Sequence, residues 1–221
     1  WYSVIDLKDA FWAFLLAESS RDFFAFEWED PETRRKQQLR WTQLPQGFTE
    51  SLNLFGQALE ALLMSFEQSE EVLILQYVDD LLISGSDEET VRNTTINLLN
   101  FLQKKGLWVS KKKLQFVEQE VKYLGHWLSR GSKKLDPERV QGILSLPPSQ
   151  TKKEVRKLLG LLGYCRQWID ECSKVVKFLY EKLIGEDNIC WTQEDDQKLE
   201  IVKGKLIEAP VLSLPDVTRP F

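Results

Sequence analysis

The stretch that most constrains the fold is LILQYVDDLLISG, residues 73–85. Its Leu, Ile, Val and Tyr side chains call for burial in a strand, turn, strand unit, yet Asp79 and Asp80 stand side by side in its middle. Adjacent carboxylates in apolar surroundings lose hydration and repel each other, so a fold that buries this run must give them a sheet edge, a partner or a cation. Asp6 lies in a second β-branched and apolar run, YSVIDL. If the two runs are antiparallel neighbours in one sheet, all three acids reach the same edge. Close carboxylates are tolerated when divalent cations neutralise them, and hard oxygen ligands suit Mg²⁺. The same pair also suits a tight hairpin turn, where aspartate is common.

The chain of 221 residues, 43% hydrophobic and 11% aromatic, is long enough for one large core or two smaller ones. It enters directly into core-like sequence without an initiator Met and reads as a piece of something longer. Cys165, Cys172 and Cys190 form no CxxC pair, and His126 is the only histidine. That argues against a disulfide framework or a zinc site and for a reducing, intracellular setting. No apolar run is long enough to span a bilayer, so no membrane partner is expected. The net charge of −5 hides a segregation, because residues 101–182 hold 18 Lys and Arg against 8 Asp and Glu. Such asymmetry marks the footprint of a polyanion, or else solvated lysines on helix faces.

Strands are expected at YSVIDL, FFAFEW and QLRWTQL, with EDPETRRKQ as a hairpin loop. Residues 50–67 carry Leu54, Phe55, Ala58, Leu59, Leu62 and Leu63 at helical spacing. SDEETVRNTTINLLNFLQKKG predicts a helix with Ser86 as N-cap, acids in the first turn and lysines before Gly106. KLQFVEQEVKYLGHWLS reads as two short strands. From about residue 136 helices follow without intervening strands, and VLSLPDVTRPF is a strand-like tail.

YVDD after a hydrophobic strand, IDLKDAFW before it, LPQGF between them and KYLGHWLS after it stand in the order and spacing of a retroviral reverse transcriptase. With the thumb-like LLGLLGYCRQWI, the whole chain resembles the gammaretrovirus-type and endogenous retroviral polymerases. The resemblance implies an α+β right-hand polymerase fold: palm with lower fingers over 1–130, a helical thumb over 136–185 and the start of a connection segment over 190–221. It implies RNA-directed and DNA-directed DNA polymerase activity in the cytoplasm or a viral particle, with two Mg²⁺ ions (Mn²⁺ as substitute), a primed RNA or DNA template and dNTPs. The alternative is a degenerate or domesticated fragment that binds nucleic acid or protein without catalysis. The family's triphosphate-binding Lys and Arg of the front fingers fall outside these residues.

Carried over by position, the metal-binding aspartates are Asp6, Asp79 and Asp80, with the Leu7 carbonyl as a further ligand. Asp9 and Ala10 match the backbone amides that contact the triphosphate, and Phe11 matches the ring that excludes a 2′-hydroxyl; as a residue alone, Phe11 reads rather as an ordinary core aromatic. Gln46 and Gly47 in LPQGF match a loop touching nucleotide and template, Gly47 allowing close backbone approach. Lys113 matches a basic residue that protonates or neutralises pyrophosphate, or is one of a solvated cluster. Tyr77, Tyr123, Leu124 and Gly125 match primer or template contacts. Arg156, Gly160 and Tyr164 recur at i, i+4 and i+8 as a cation, a gap and a ring suited to a minor groove, or as what remains after Leu158, Leu159, Leu161 and Leu162 are buried.

Overall fold

A computed structural model of the chain describes residues 1–67, 69–184 and 189–214. They form two compact units, one up to residue 121 and one from residue 122 on. The first unit holds β1 (Tyr2–Lys8), β2 (Ala25–Glu29), β3 (Lys36–Arg40), α1 (Ser51–Leu63), β4 (Val72–Tyr77), β5 (Asp80–Gly85), α2 (Glu88–Lys104), β6 (Trp108–Val109) and β7 (Gln115–Glu118). Its main sheet runs β4-β5-β1-β6, with β7 also on β1, and β2 and β3 form a separate hairpin. FFAFEW is a strand only from Ala25, since Glu18–Phe24 coil into a 3₁₀ helix.

β1 is buried along both faces from Tyr2 to Ile5 and again at Leu7, with Ser3 a buried polar residue among apolar ones. Ile5 and Leu7 join Phe55 and Leu59 of α1, Leu81 and Ile83 of β5, and Val91, Leu98 and Leu102 of α2 in one core. α2 is capped by Asp87, whose carboxylate accepts the Thr90 N–H at 2.7 Å, and not by Ser86 as expected. The aspartate places a full negative charge at the positive end of the helix. Beneath α2 the buried Ser3 hydroxyl oxygen accepts from the Thr95 hydroxyl and from the Val117 N–H, each at 3.0 Å. This joins β1 to β7 where their register shifts and where Val117 takes a positive φ of 55°.

The second unit contains a sheet of order β11-β10-β9-β8 and a helical core. Its elements are β8 (Glu120–Tyr123), β9 (His126–Ser129), β10 (Ser132–Leu135), α3 (Pro137–Leu144), α4 (Lys152–Tyr164), α5 (Cys172–Val175), α6 (Lys177–Glu181), α7 (Gln193–Ile207) and β11 (Leu212–Ser213). KLQFVEQEVKYLGHWLS thus yields three strands, divided between the two sheets. Two-residue turns, Leu124–Gly125 and Arg130–Gly131, join β8 to β9 and β9 to β10, all four residues at positive φ. That is the type I′ pattern, whose twist matches the flanking strands. Of the expected tail only Leu212–Ser213 forms a strand, and residues 215–221 lie outside the described residues. α4 begins with a reciprocal capping box between Thr151 and Glu154, α7 with one between Thr192 and Asp195.

Candidate functional site

Antiparallel pairing of β1 with β5 sets Asp6 directly opposite Asp80, and pairing of β4 with β5 sets Tyr77 opposite Asp80. Val78 and Asp79 are the two turn residues between them. Only Val78 of these has a positive φ, 53°, the pattern of a type II′ turn, in which glycine is usual at that position. A β-branched residue there is strained. Three hydrogen bonds hold the turn. The Leu7 N–H donates to the Asp79 carbonyl at 3.0 Å, and the Gln76 side-chain amide donates to the Val78 carbonyl at 3.3 Å and to Gly56 of α1 at 3.1 Å. Gln76 was not singled out by the sequence; its signal is a polar residue inside an otherwise apolar strand.

The three expected acids therefore share one edge. Burial, followed by the charges of Asp79 and Asp6, pushes the Asp80 carboxyl above its ordinary range. Lys113 crosses from the loop after β6 to the Asp6 carboxylate at 3.0 Å, and that bond raises the lysine above its usual value. The donor set, three carboxylates with backbone carbonyls beside them, is the hard-oxygen type that suits Mg²⁺, and among the described residues Lys113 is the cation that meets them. The set is not preassembled: among the described residues no three His, Cys, Asp or Glu side chains are grouped closely enough to hold a metal ion.

Asp9 has φ 51° and opens the 3₁₀ turn Ala10–Ala13, leaving Ala10 buried and the Asp9 side chain exposed. Phe11 is half-buried, its ring 4.7 Å from that of Phe55. Gln46 and Gly47 are exposed, Gly47 at φ 94° with open space where a Cβ would stand. In the second unit Arg156 and Gly160 lie on the exposed side of α4, opposite Val155, Leu158 and Leu162. A Cβ on Gly160 would meet nothing within 4 Å. Tyr164 turns inward: its hydroxyl donates to the Leu124 carbonyl and sits 2.8 Å from His126 Nδ1. A Cβ on Gly125 would come within 2.8 Å of that hydroxyl, so the turn requires glycine twice over. Arg139, Trp168 and Lys133, which surround this contact, were missed by the sequence reading; the i, i+4 spacing of Tyr164 and Trp168 was the available signal.

Among the described residues no helix is long and apolar enough to cross a membrane. The profile of the family "Reverse transcriptase (RNA-dependent DNA polymerase)" matches residues 1–128. The chain is 43% identical to the Gag-Pol polyprotein of Gibbon ape leukemia virus and 43% identical to the Pol polyprotein of Feline endogenous virus ECE1, each over 100% of this chain. It spans 13% and 21% of the lengths of those two relatives. Among solved structures it resembles a foamy viral protease-reverse transcriptase in complex with double-stranded DNA, with TM-score 0.86 and 31% identity over 97% of this chain and 36% of that one. A foamy viral protease-reverse transcriptase in complex with an RNA/DNA hybrid matches at TM-score 0.85 and 30% identity, over 99% of this chain and 29% of that one. The fold, the edge of carboxylates and these likenesses agree: the chain belongs to the reverse transcriptase family.

Proposed function

We propose that this chain is the palm, lower fingers and thumb of an RNA-directed and DNA-directed DNA polymerase that transfers nucleotides from dNTPs to a primer 3′-hydroxyl. The observation that carries the reading is the cross-strand pair Asp6 and Asp80 beside the Asp79 turn, an edge of negative charge in an apolar sheet. In this reading residues 1–121 and the β8–β9 hairpin make palm and fingers, the helices to about residue 185 make the thumb, and residues 190–221 begin a connection segment. A catalytically silent binding module would have no need of that edge.

Asp6 and Asp79, the Leu7 carbonyl and, less directly, Asp80 would hold two Mg²⁺ ions, with Mn²⁺ as substitute. When bound, such ions neutralise phosphate oxygens and lower the pKa of a coordinated hydroxyl. Lys113, which donates to the Asp6 carboxylate at 3.0 Å, neutralises the departing pyrophosphate once released from it. The Asp9 and Ala10 amides bind the triphosphate. Phe11, backed by Phe55, stands under the sugar and excludes a 2′-hydroxyl by volume. Gln46 and Gly47 contact the nucleotide and template from the loop before α1, while Tyr77, Tyr123, Leu124 and Gly125 face the primer end.

The test is extension of a primed RNA template by a polymerase carrying this segment, with and without Mg²⁺, beside a salt titration of template binding. Metal-dependent extension and an affinity that falls steeply with salt are expected, because the basic charge of residues 101–182 displaces counterions. Metal-independent extension, or binding indifferent to salt, defeats the reading. Gly160 sharpens it. Neither φ nor crowding within the chain demands glycine there, so Gly160→Ala should gain up to about 1 kcal/mol of helix stability. The same change should weaken primer–template binding several-fold, because the methyl group intrudes on a close approach of sugar edges. Melting curves and binding titrations of the one variant read both effects.

A further inference from the structure

Within the second unit five side chains from five different segments are layered face to face. The Arg139 guanidinium of α3 lies 3.8 Å from the Tyr164 ring centroid. Tyr164, at the end of α4, stacks on His126 of β9 at 4.6 Å and 17°. His126 stacks in turn on Trp168 at 5.0 Å and 18°. The Lys133 ammonium of β10 closes the pile 5.2 Å from the Trp168 ring, and also donates to Gln167 at 2.5 Å. Trp168 is 3% exposed, and its buried Nε1–H has no acceptor among the described residues. The indole is therefore held for its faces and not for its donor.

Hydrogen bonding fixes the order of the layers. The single Tyr164 hydroxyl proton goes to the Leu124 carbonyl, so the hydroxyl lone pairs face His126 Nδ1, and the imidazole proton resides on Nδ1. The hydroxyl and the imidazole thus both hold a turn whose two residues are at positive φ. We propose that Tyr164 and His126 are positioning residues: they pin the Leu124–Gly125 turn to the end of α4, and Tyr164 serves primer–template binding through that turn and not by touching nucleic acid itself. The second half of this proposal rests on the nucleic-acid reading above.

Protonation at Nε2 would leave the Nδ1–H bond to Tyr164 in place but set a third positive charge between Lys133 and Arg139, which weakens the stack. The groups that face His126 are the Lys133 ammonium of β10, the Arg139 guanidinium of α3 and the Tyr164 phenol of α4. Nearby, Cys165 has its thiol pushed up by burial, and Asp136 at the head of α3 is committed to Lys122 at 2.6 Å. Burial, then Lys133, hold His126 below its ordinary value of 6.5; Arg139 acts in the same direction, while the Leu124 hydrogen bond opposes them. With the folded value depressed, the contribution of the stack is full above the unfolded value near 6.5 and is lost as the pH falls below it toward the folded one.

His126 is the only histidine in the chain, so its Cε1–H resonance reads the stack without ambiguity. The free chain should show an imidazole midpoint below 6.5, with the Leu124 and Gly125 amide shifts following the same midpoint. Affinity for a primed duplex should fall on acidification in step with the imidazole, opposite to a plain basic surface, which tightens as it gains protons. In His126→Phe that acid-linked loss should vanish. Tyr164→Phe keeps the ring and removes the hydroxyl, and should weaken binding about fivefold at neutral pH, the worth of one hydrogen bond. Wild-type affinity in Tyr164→Phe would overturn the positioning role, since a ring lying directly on a sugar survives that change. An imidazole that titrates at 6.5 without its turn would overturn it as well. A chain that binds no primed duplex while the turn still follows the imidazole would overturn the nucleic-acid half and the function it rests on, leaving the pinned turn established.

Discussion

In a polymerase that carries this segment, Asp79→Asn is expected to lower primer extension by at least about 10³-fold, ~4 kcal/mol in barrier, with primer–template affinity unchanged within about twofold. Asparagine has the shape of aspartate, tolerates a turn, and leaves the Asp79 carbonyl on the Leu7 N–H, so the hairpin stays intact. What disappears is one charge from an edge whose acids already repel, a repulsion that adds to burial in pushing Asp80 upward. Melting temperature should hold or rise while activity is lost. Extension at saturating dNTP with Mg²⁺, read beside a binding titration and a melt, checks the three together. An active variant removes Asp79 from the metal site, and a variant that fails to bind template moves its role to folding.

Phe55→Ala is expected to destabilise the first unit by about 3–5 kcal/mol, a large share of the ~5–15 kcal/mol that holds a typical domain together. Phe55 is 0% exposed, and its ring meets Phe11 at 4.7 Å and Phe14 edge-on at 5.4 Å. The cavity opens directly behind the ring proposed to exclude the 2′-hydroxyl. At a temperature where the variant remains folded, incorporation of ribonucleotides relative to deoxynucleotides should therefore rise. Denaturant melts measure the first effect and competitive incorporation the second. A stability loss with discrimination unchanged would make Phe11 a core ring and nothing more.

The fold was legible wherever one residue type and one period carried it. Apolar runs and β-branching located β1, β4 and β5, and antiparallel pairing of those runs was enough to draw Asp6 and Asp80 to one edge. Contacts between positions far apart in the chain were not legible, because no local pattern encodes them. Ser3 bonds Thr95 and Val117 at separations of 92 and 114 residues, and Lys113 reaches Asp6 across 107. The extra strand in KLQFVEQEVKYLGHWLS, and β10 after it, were missed because Leu124 and Arg130 occupy turn positions where Asn or Asp would have announced type I′ hairpins. The helix cap shifted by one residue because Ser86 and Asp87 are both competent caps, and only the backbone decides which carboxylate or hydroxyl meets Thr90. At Tyr164 the helical period marked the right face but not the direction of the ring.

Val78 carries a consequence for anyone who would engineer this protein. A procedure that ranks substitutions by thermal tolerance alone would replace it with glycine, recovering about 1–2 kcal/mol from a left-handed backbone that a β-branched side chain resists. Glycine would also widen the range of angles open to the turn, and with it the spread of positions available to Asp79 one residue on. Heat resistance and a well-aimed carboxylate are therefore opposing objectives at this position, and a library screened for the first would discard the second.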